Sequence, residues 1–441
     1  MGRISSFLLI PDTLILLWMV LTMARLQHRS ELKTFDLWAR GLFLIVCEDL
    51  GRFFYGLDLP LFWHNLAHFF ALGSYLSAGM LFLATARRDF EPRPGKIKSI
   101  FLCGLPSYLL LFFYTFGWHN PWLFAGLALF GLVENLLVLH LRKTGRWAFP
   151  WLVCVWLGVA FLSSAGMYRY AAYALLAALY LATSIGFAVT LPARRYGKAL
   201  VVVGFGLWSL CFLAHPVLKD VHTILQPMVS KIWDLQRYVV TFGLLILSLE
   251  ELGAAHEYNA LHDALTGLPN RRLFADRLQQ SLAQARRTNR HAVLFNIDLN
   301  GFKKVNDTWG HAAGDFLLRE VASRMRLLTR ESDTLCRMGG DEFCLLVSDF
   351  GAPEMMTSEI VERELKGFTD AIRQRIEGEA YLYSSGEIAI ELRASVSIGA
   401  AIYPDQAQSL EALCLMADQQ MYNSKHQATT RGDSFDVLLT R

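Results

Sequence analysis

The chain has 441 residues, enough for two or three domains. Its 54% hydrophobic residues are too many for a wholly soluble protein, and its 18% charged residues too many for one wholly embedded in a membrane. A formal net charge of +3 is too small to argue for nucleic acid as a partner. The 7 cysteines are scattered without CxxC or Cys/His ligand spacing, so neither a disulfide framework nor a zinc site is indicated.

Long apolar runs fill the chain up to about residue 250. Segments near 6–26, 35–56, 62–86, 99–118, 121–141, 149–167, 170–191 and 199–216 each approach the roughly 20 residues that cross a bilayer. A further segment near 230–250 is less clear, because Lys231, Asp234 and Arg237 interrupt its first part. The first run lacks a small-residue cleavage site and reads as a span rather than a removed leader. These runs predict an all-α polytopic membrane domain over 1–250, of about nine spans, with the lipid bilayer as its solvent.

Basic residues fall in alternate connections. They are Arg25, Arg29 and Lys33 after the first run, and Arg87, Arg88, Arg93, Lys96 and Lys98 after the third. Arg142, Lys143 and Arg146 follow the fifth, and Arg194, Arg195 and Lys198 the seventh. The intervening connections carry little beyond Arg169 and Lys219. Lys and Arg accumulate in short cytoplasmic loops, so the N-terminus is expected outside, and an odd number of spans brings the C-terminal half to the cytoplasm of a bacterial inner membrane.

Charges at membrane depth are costly and face a cavity or one another. Glu48 and Asp49 are each within reach of Arg52, and Glu134 and His140 lie deeper in the chain. His64 and His68 share a helix face at a spacing that suits a metal or haem; the plainer reading is a pair of hydrogen-bonded histidines near the interface. Trp38, Trp63, Trp118, Trp122 and Trp151 read as an interfacial belt. Residues 251–262 are good helix formers without proline and predict a linker helix, on which Leu249, Leu252, His256 and Asn259 approximate a coiled-coil seam.

From residue 263 to 441 charged residues are frequent and helical and strand periodicities alternate. Helices are expected over 272–286, 312–328, 354–376 and 410–425, a strand over 292–297, a hairpin over 335–347 and strands within 380–401. This pattern predicts an α/β domain with helices on a central mixed sheet. Within it, residues 337–343 read Arg-Met-Gly-Gly-Asp-Glu-Phe. Gly339 and Gly340 allow a tight reversal close to a phosphate, and Asp341 and Glu342 supply hard oxygen ligands for a Mg²⁺ that carries substrate phosphates.

Five collinear segments carry a resemblance. DALTGLPNRR at 263–272, DLNGFKKVNDTWGHAAGD at 298–315, the GGDEF hairpin, SVSIGAA at 395–401 and ADQQMYNSK at 417–425 resemble the GGDEF domain of diguanylate cyclases. The resemblance implies a nucleotide-cyclase-like α/β fold and condensation of two GTP into cyclic di-GMP with release of pyrophosphate. It also implies a homodimer, joined through the cyclase domain and linker, because each domain binds one GTP. It assigns Asp298, the Leu299 carbonyl and Asp341 to the metal (Mg²⁺, with Mn²⁺ the alternative), and Glu342 to a ligand or proton-accepting role. Asn306 and Asp315 match guanine-reading positions, while Lys303 and Lys425 match positions that meet the triphosphate. Arg330-x-x-Asp333 resembles the site through which cyclic di-GMP inhibits its own synthesis. Two positions depart from the family pattern: Asn300 stands for a common Asp, and Ala428-Thr429 follow where Gly-Arg is usual, with Arg431 beyond. A catalytically silent membrane receptor for GTP or cyclic di-GMP is the alternative, and a transporter with a regulatory domain a weaker one. The intact GGDEF carboxylates favour the cyclase.

Overall fold

The protein is described by a computed structural model covering residues 9–27, 34–86, 94–142, 148–193, 195–220, 226–350, 358–385, 388–431 and 437–440. It divides into two compact units, Met1–Gly253 and Ala254–Arg441. Several of the basic loop residues, namely Arg29, Lys33, Arg87, Arg88, Arg93, Lys143, Arg146 and Arg194, lie outside the described residues.

The first unit is helical: α1 (Leu9–Gln27), α2 (Thr34–Tyr55), α3 (Leu61–Thr85), α4 (Pro94–Cys103), α5 (Leu105–Thr115), α6 (Pro121–Arg142), α7 (Ala148–Ser164), α8 (Tyr168–Thr190), α9 (Tyr196–Asp220) and α10 (Gln226–Leu261). Among the described residues the apolar runs are helical, but length and hydropathy qualify 4 helices there to cross a membrane, or up to 5 when α4 and α5, bent by 45° at Gly104, count as one. The four are α3, α8, α9 and the 234–261 part of α10. The core between these helices is aromatic and aliphatic, with Phe82, Tyr180, Phe205 and Trp208 buried together. Trp63, Trp118 and Trp122 are exposed as an interfacial belt requires, whereas Trp38 is buried and donates from Nε1 to Thr85 Oγ1 at 2.9 Å.

The charges of α2 find partners that local spacing did not indicate. Arg52 lies 3.6 Å from Glu48 but also bonds Asp234 of α10 at 3.0 Å. Asp49 pairs with Arg237 of α10, not with Arg52, and Arg237 also meets Asp234 at 2.8 Å. The side chains of Asp49, Asp234 and Arg237 are nearly inaccessible, so mutual pairing replaces the water each has lost.

In the second unit, α11 (Arg271–Thr288) starts on an Asn270 cap whose side chain accepts from the amides of Arg272 and Leu273. Next come β1 (His291–Leu299), α12 (Phe302–Trp309), α13 (His311–Arg326), β2 (Thr334–Gly339), β3 (Glu342–Phe350), α14 (Ser358–Glu377), β4 (Tyr381–Ser385), β5 (Ile388–Leu392), β6 (Val396–Tyr403), α15 (Leu410–Arg431) and β7 (Val437–Thr440). The main sheet runs β2-β3-β1-β6, and β4-β5-β7 form a smaller one. A mixed sheet was the expectation; among the described strands every pairing is antiparallel. The crossover through α12 and α13 does set β1 and β2 in the same direction, but β3 inserts between them and separates the parallel pair. Both faces of the sheet are covered, so β1 and β6 are buried almost end to end. Gly399 on β6 permits this closeness: a Cβ there would sit 2.1 Å from the Ala417 carbonyl oxygen of α15.

Candidate active site

The ends of β1 and β3 build the site. Asp298 and Leu299 close β1, and Asp298 pairs in register with Glu342 at the start of β3. The turn between β2 and β3 is made by Gly339 and Gly340, with φ of 144° and 56°, conformations that L side chains rarely adopt. Both are exposed, and the space above each is open, so a ligand can approach the backbone. The Leu299 amide donates to the Asp341 carbonyl at 3.3 Å, tying the strand end to the hairpin.

Two carboxylates meet here. The Asp298 side chain is 4% exposed and the Asp341 side chain is half-buried. Burial pushes the Asp341 carboxyl above its usual range, and the neighbouring Asp298 charge pushes it further. Lys425 of α15 answers that charge: its Nζ is 2.7 Å from Asp298 Oδ1 and donates to Oδ2 at 2.8 Å. A pair of hard, partly desolvated carboxylates fits a divalent cation. Among the described residues no group of three His, Cys, Asp or Glu side chains could hold a metal; two carboxylates supplemented by a backbone carbonyl need no third. Glu342 is exposed beside them.

Asn306 lies on α12 and Asp315 on α13, two short helices joined at Gly310, and both side chains are half-buried. Their closeness depends on Gly314, where a Cβ would fall 2.0 Å from Asn306 Oδ1. Lys303, on the first turn of α12, is exposed. Arg330 and Asp333 precede β2 at the end away from the hairpin, about 20 Å from Gly339 at the usual rise per strand residue. The Asp333 carboxylate accepts from the amides of Arg330 at 2.9 Å and Ser348 at 3.3 Å, while the Arg330 side chain is exposed.

Two features escaped sequence reasoning. Arg337 donates to both oxygens of Asp263, at 2.9 and 3.0 Å, and to the Gly340 carbonyl at 3.1 and 2.7 Å. Asp263 also accepts from the amide and hydroxyl of Thr266. The first motif is thus a folded loop that braces the glycine turn. The signal was available, since Asp263 and Arg337 are the charged residues that open the first and third motifs, but nothing in their spacing announced contact across 74 positions. Asn300, the departure from Asp, is nearly buried, donates to Ser395 Oγ at 3.1 Å and accepts from Ser397 Oγ at 2.7 Å. It ties the end of β1 to β6, and an ionised Asp could not donate as the Asn amide does in the first of these bonds. Ala428 and Thr429 continue α15, which runs on to Arg431.

Residues 260–431 match the family model described as diguanylate cyclase, GGDEF domain. The chain is 42% identical over 168 residues to the bifunctional diguanylate cyclase/cyclic di-GMP phosphodiesterase MucR of Pseudomonas aeruginosa, covering 38% of this chain and 22% of that one. It is 36% identical over 180 residues to the diguanylate cyclase TpbB of the same organism, covering 41% of this chain and 38% of that one. The GGDEF domain of TpbB has been solved alone; it is 36% identical, with a TM-score of 0.34, over 38% of this chain and 90% of that structure. The chain therefore spans well under half the length of these two curated relatives, and the family model falls within its C-terminal unit.

Proposed function

We infer, from a C-terminal unit whose residues 260–431 belong to the GGDEF family, that the chain is a membrane-anchored diguanylate cyclase. The observation that carries this reading is the meeting of Asp298 and Asp341 beside an open glycine turn, where burial and mutual repulsion leave their charge to be answered by a cation. In each half-reaction the 3′-oxygen of one GTP bonds the α-phosphorus of the other, the α–β phosphoanhydride bond breaks and pyrophosphate leaves. A divalent ion, Mg²⁺ or Mn²⁺, bound by Asp298, Asp341 and the Leu299 carbonyl would neutralise the triphosphate and acidify the attacking hydroxyl. Glu342 serves as a ligand or takes the hydroxyl proton. Asp315 accepts from guanine N1–H and the 2-amino group, a donor pattern that adenine lacks, and Asn306 completes that recognition. Lys303 and Lys425 meet the triphosphate, so Lys425 gives up Asp298 when substrate and cation arrive. Arg330 and Asp333 bind cyclic di-GMP as a feedback inhibitor, the arginine stacking on guanine and forking to phosphate.

One domain holds one GTP, so two copies are needed, and α10 running on to Leu261 supports a homodimer joined by the linker and cyclase domains. The helical unit is read as nine spans with the N-terminus outside and the cyclase unit in the cytoplasm, acting as a sensor that controls the pairing.

The full chain in lipid nanodiscs, given GTP and Mg²⁺, is expected to form cyclic di-GMP detectable by mass spectrometry. Asp341→Asn should lower the rate at least about 100-fold while circular dichroism stays unchanged. Nucleotide binding without product from the parent chain would establish the silent receptor instead.

A further inference from the structure

The helical unit buries more acid than base at one place. Three carboxylates, Glu48 and Asp49 of α2 and Asp234 of α10, face two guanidiniums, Arg52 of α2 and Arg237 of α10. Glu48 and Asp49 are each 1% exposed, Asp234 4% and Arg237 2%. A buried charge is tolerated when it is paired and hydrogen-bonded, so this cluster calls for one further positive charge.

The place for that charge follows from how well each acid is served. Asp234 meets both guanidiniums, at 3.0 and 2.8 Å. Asp49 pairs with Arg237 and accepts from the Thr13 hydroxyl of α1 at 3.3 Å. Glu48 is served worst. Its Oε1 lies 3.6 Å from Arg52 Nε, beyond hydrogen-bond range, and its Oε2 is buried with no hydrogen-bond partner among the described residues. Asp234 Oδ2 is also without one, but its carboxylate keeps both cations. The other groups that face Glu48 add no positive charge. They are Tyr75 of α3 and Tyr173 and Tyr180 of α8, phenols that stay neutral where carboxylates titrate. From α1 come Thr13 and its neighbour Asp12, a further acid. A metal ion fits poorly, since among the described residues no three His, Cys, Asp or Glu side chains converge to hold one, and two guanidiniums repel it. A proton needs a single oxygen.

We propose that Glu48 Oε2 carries one exchangeable proton, and that this proton sets how firmly α10 is held to α2. With the proton in place, two carboxylates face two guanidiniums and the cluster is neutral. Once the proton passes to water, the Glu48 carboxylate competes with Asp234 for Arg52, whose 3.0 Å bond joins α2 to α10. The Arg52 side chain is 31% exposed, so the cluster opens to its surroundings there and the proton has a route. The inference concerns the helical unit alone, and its test reads a proton rather than cyclic di-GMP, so it stands or fails apart from the cyclase reading.

The experiment uses the full chain in lipid nanodiscs and infrared difference spectra between acid and alkaline buffer. A band from the C=O stretch of a protonated carboxyl should appear and vanish reversibly with pH. Heavy carbon in the glutamate side-chain carboxyls should move that band, which needs no variant. Glu48→Gln should remove it, and Glu134→Gln, at the other half-buried acid with an unpartnered oxygen, should leave it in place. Hydrogen exchange over residues 234–248 of α10, corrected for the intrinsic effect of pH, should quicken at least about threefold on alkaline titration in the parent chain and not in Glu48→Gln. Four results would overturn the proposal: no reversible carboxyl band, a band indifferent to glutamate labelling or to Glu48→Gln, displacement of the proton when sodium replaces choline at fixed pH, or the same pH response of α10 in parent and Glu48→Gln.

Discussion

Replacing Arg337 by Met removes the brace between the first motif and the glycine turn while keeping a side chain of similar length. The guanidinium makes two contacts to Asp263 and two to the Gly340 carbonyl. Hydrogen bonds to charged groups contribute about 1.5–3 kcal/mol each when buried. Here the paired side chains are 11% and 23% exposed, and the Gly340 contacts face solvent, where water can replace them. A loss of about 2 kcal/mol for the whole brace follows after discounting for that access. Hydrogen exchange on the intact chain reads this locally: amides of residues 339–343 should exchange about 30-fold faster, since 1.4 kcal/mol is a factor of ten. Asp263→Asn should lose less, because an amide oxygen still accepts from Thr266. Added to Arg337→Met it should cost little more, giving a coupling of about 1–2 kcal/mol. Acid dependence supplies a second check. Burial tends to raise the Asp263 carboxyl, but the hydrogen bonds from Thr266 and Arg337 outweigh it and hold the group below its usual range. A depressed folded value means the stabilisation is complete above the unfolded carboxyl range, near ~4, and is lost as pH falls through the folded value. Hairpin protection should therefore be flat around neutrality, decline only in acid, and decline less in Arg337→Met. Exchange altered less than about threefold, or strictly additive single variants, would refute the brace.

Gly314→Ala should displace Asn306 from its seat and raise the KM for GTP at least about tenfold with a smaller change in kcat, because the guanine contact acts in ground state and transition state alike. An unchanged KM would separate Asn306 from guanine. Lys425→Met should strip Asp298 of its counter-charge and tighten Mn²⁺ binding to the nucleotide-free chain, about tenfold by electron paramagnetic resonance. Unaltered Mn²⁺ affinity would mean that the lysine does not compete with the cation. Arg330→Ala should leave the initial rate intact and abolish the plateau that accumulating cyclic di-GMP imposes; equal calorimetric affinity for cyclic di-GMP in parent and variant would remove Arg330 from product binding.

Much of the C-terminal unit was legible because its constraints are local. A short continuous apolar run marked β1, and the glycine pair marked the turn that joins β2 to β3. Asp298 and Asp341 could be brought together in thought because one ends a strand and the other opens a hairpin. What stayed hidden depends on who lies beside whom. The order β2-β3-β1-β6 is set by which strand inserts between two others, and no periodicity encodes that. The short helix α12 was not separated from its motif, since eight residues are too few to show a period. β7 pairs with β5 to extend the smaller sheet, yet its four residues carry no alternation that could announce it. Lys425 illustrates the same limit at the site: its motif suggested phosphate, while the fold adds a carboxylate partner 127 positions away.

The helical unit inverts the usual reading of a charged segment. Lys231, Asp234 and Arg237 made the last run look least like a span, yet the stretch from Asp234 is among the four helices apolar and long enough to cross a bilayer. The reason lies in α2. Considered alone, Glu48, Asp49 and Arg52 leave an uncompensated acid, and Asp234 with Arg237 compensate only each other. Brought together, Arg237 takes Asp49, and Asp234 is shared by Arg52 and Arg237; three carboxylates still face two guanidiniums, but each carboxylate now has a guanidinium at hydrogen-bond range or just beyond it. Asp49, which among the described residues has no ion-pair partner within α2, is buried against Arg237 of α10, so burying it in α2 depends on α10. The charges that argued against a span are therefore the contacts that hold α10 to α2, and α10 is the helix that runs on without a break to Leu261.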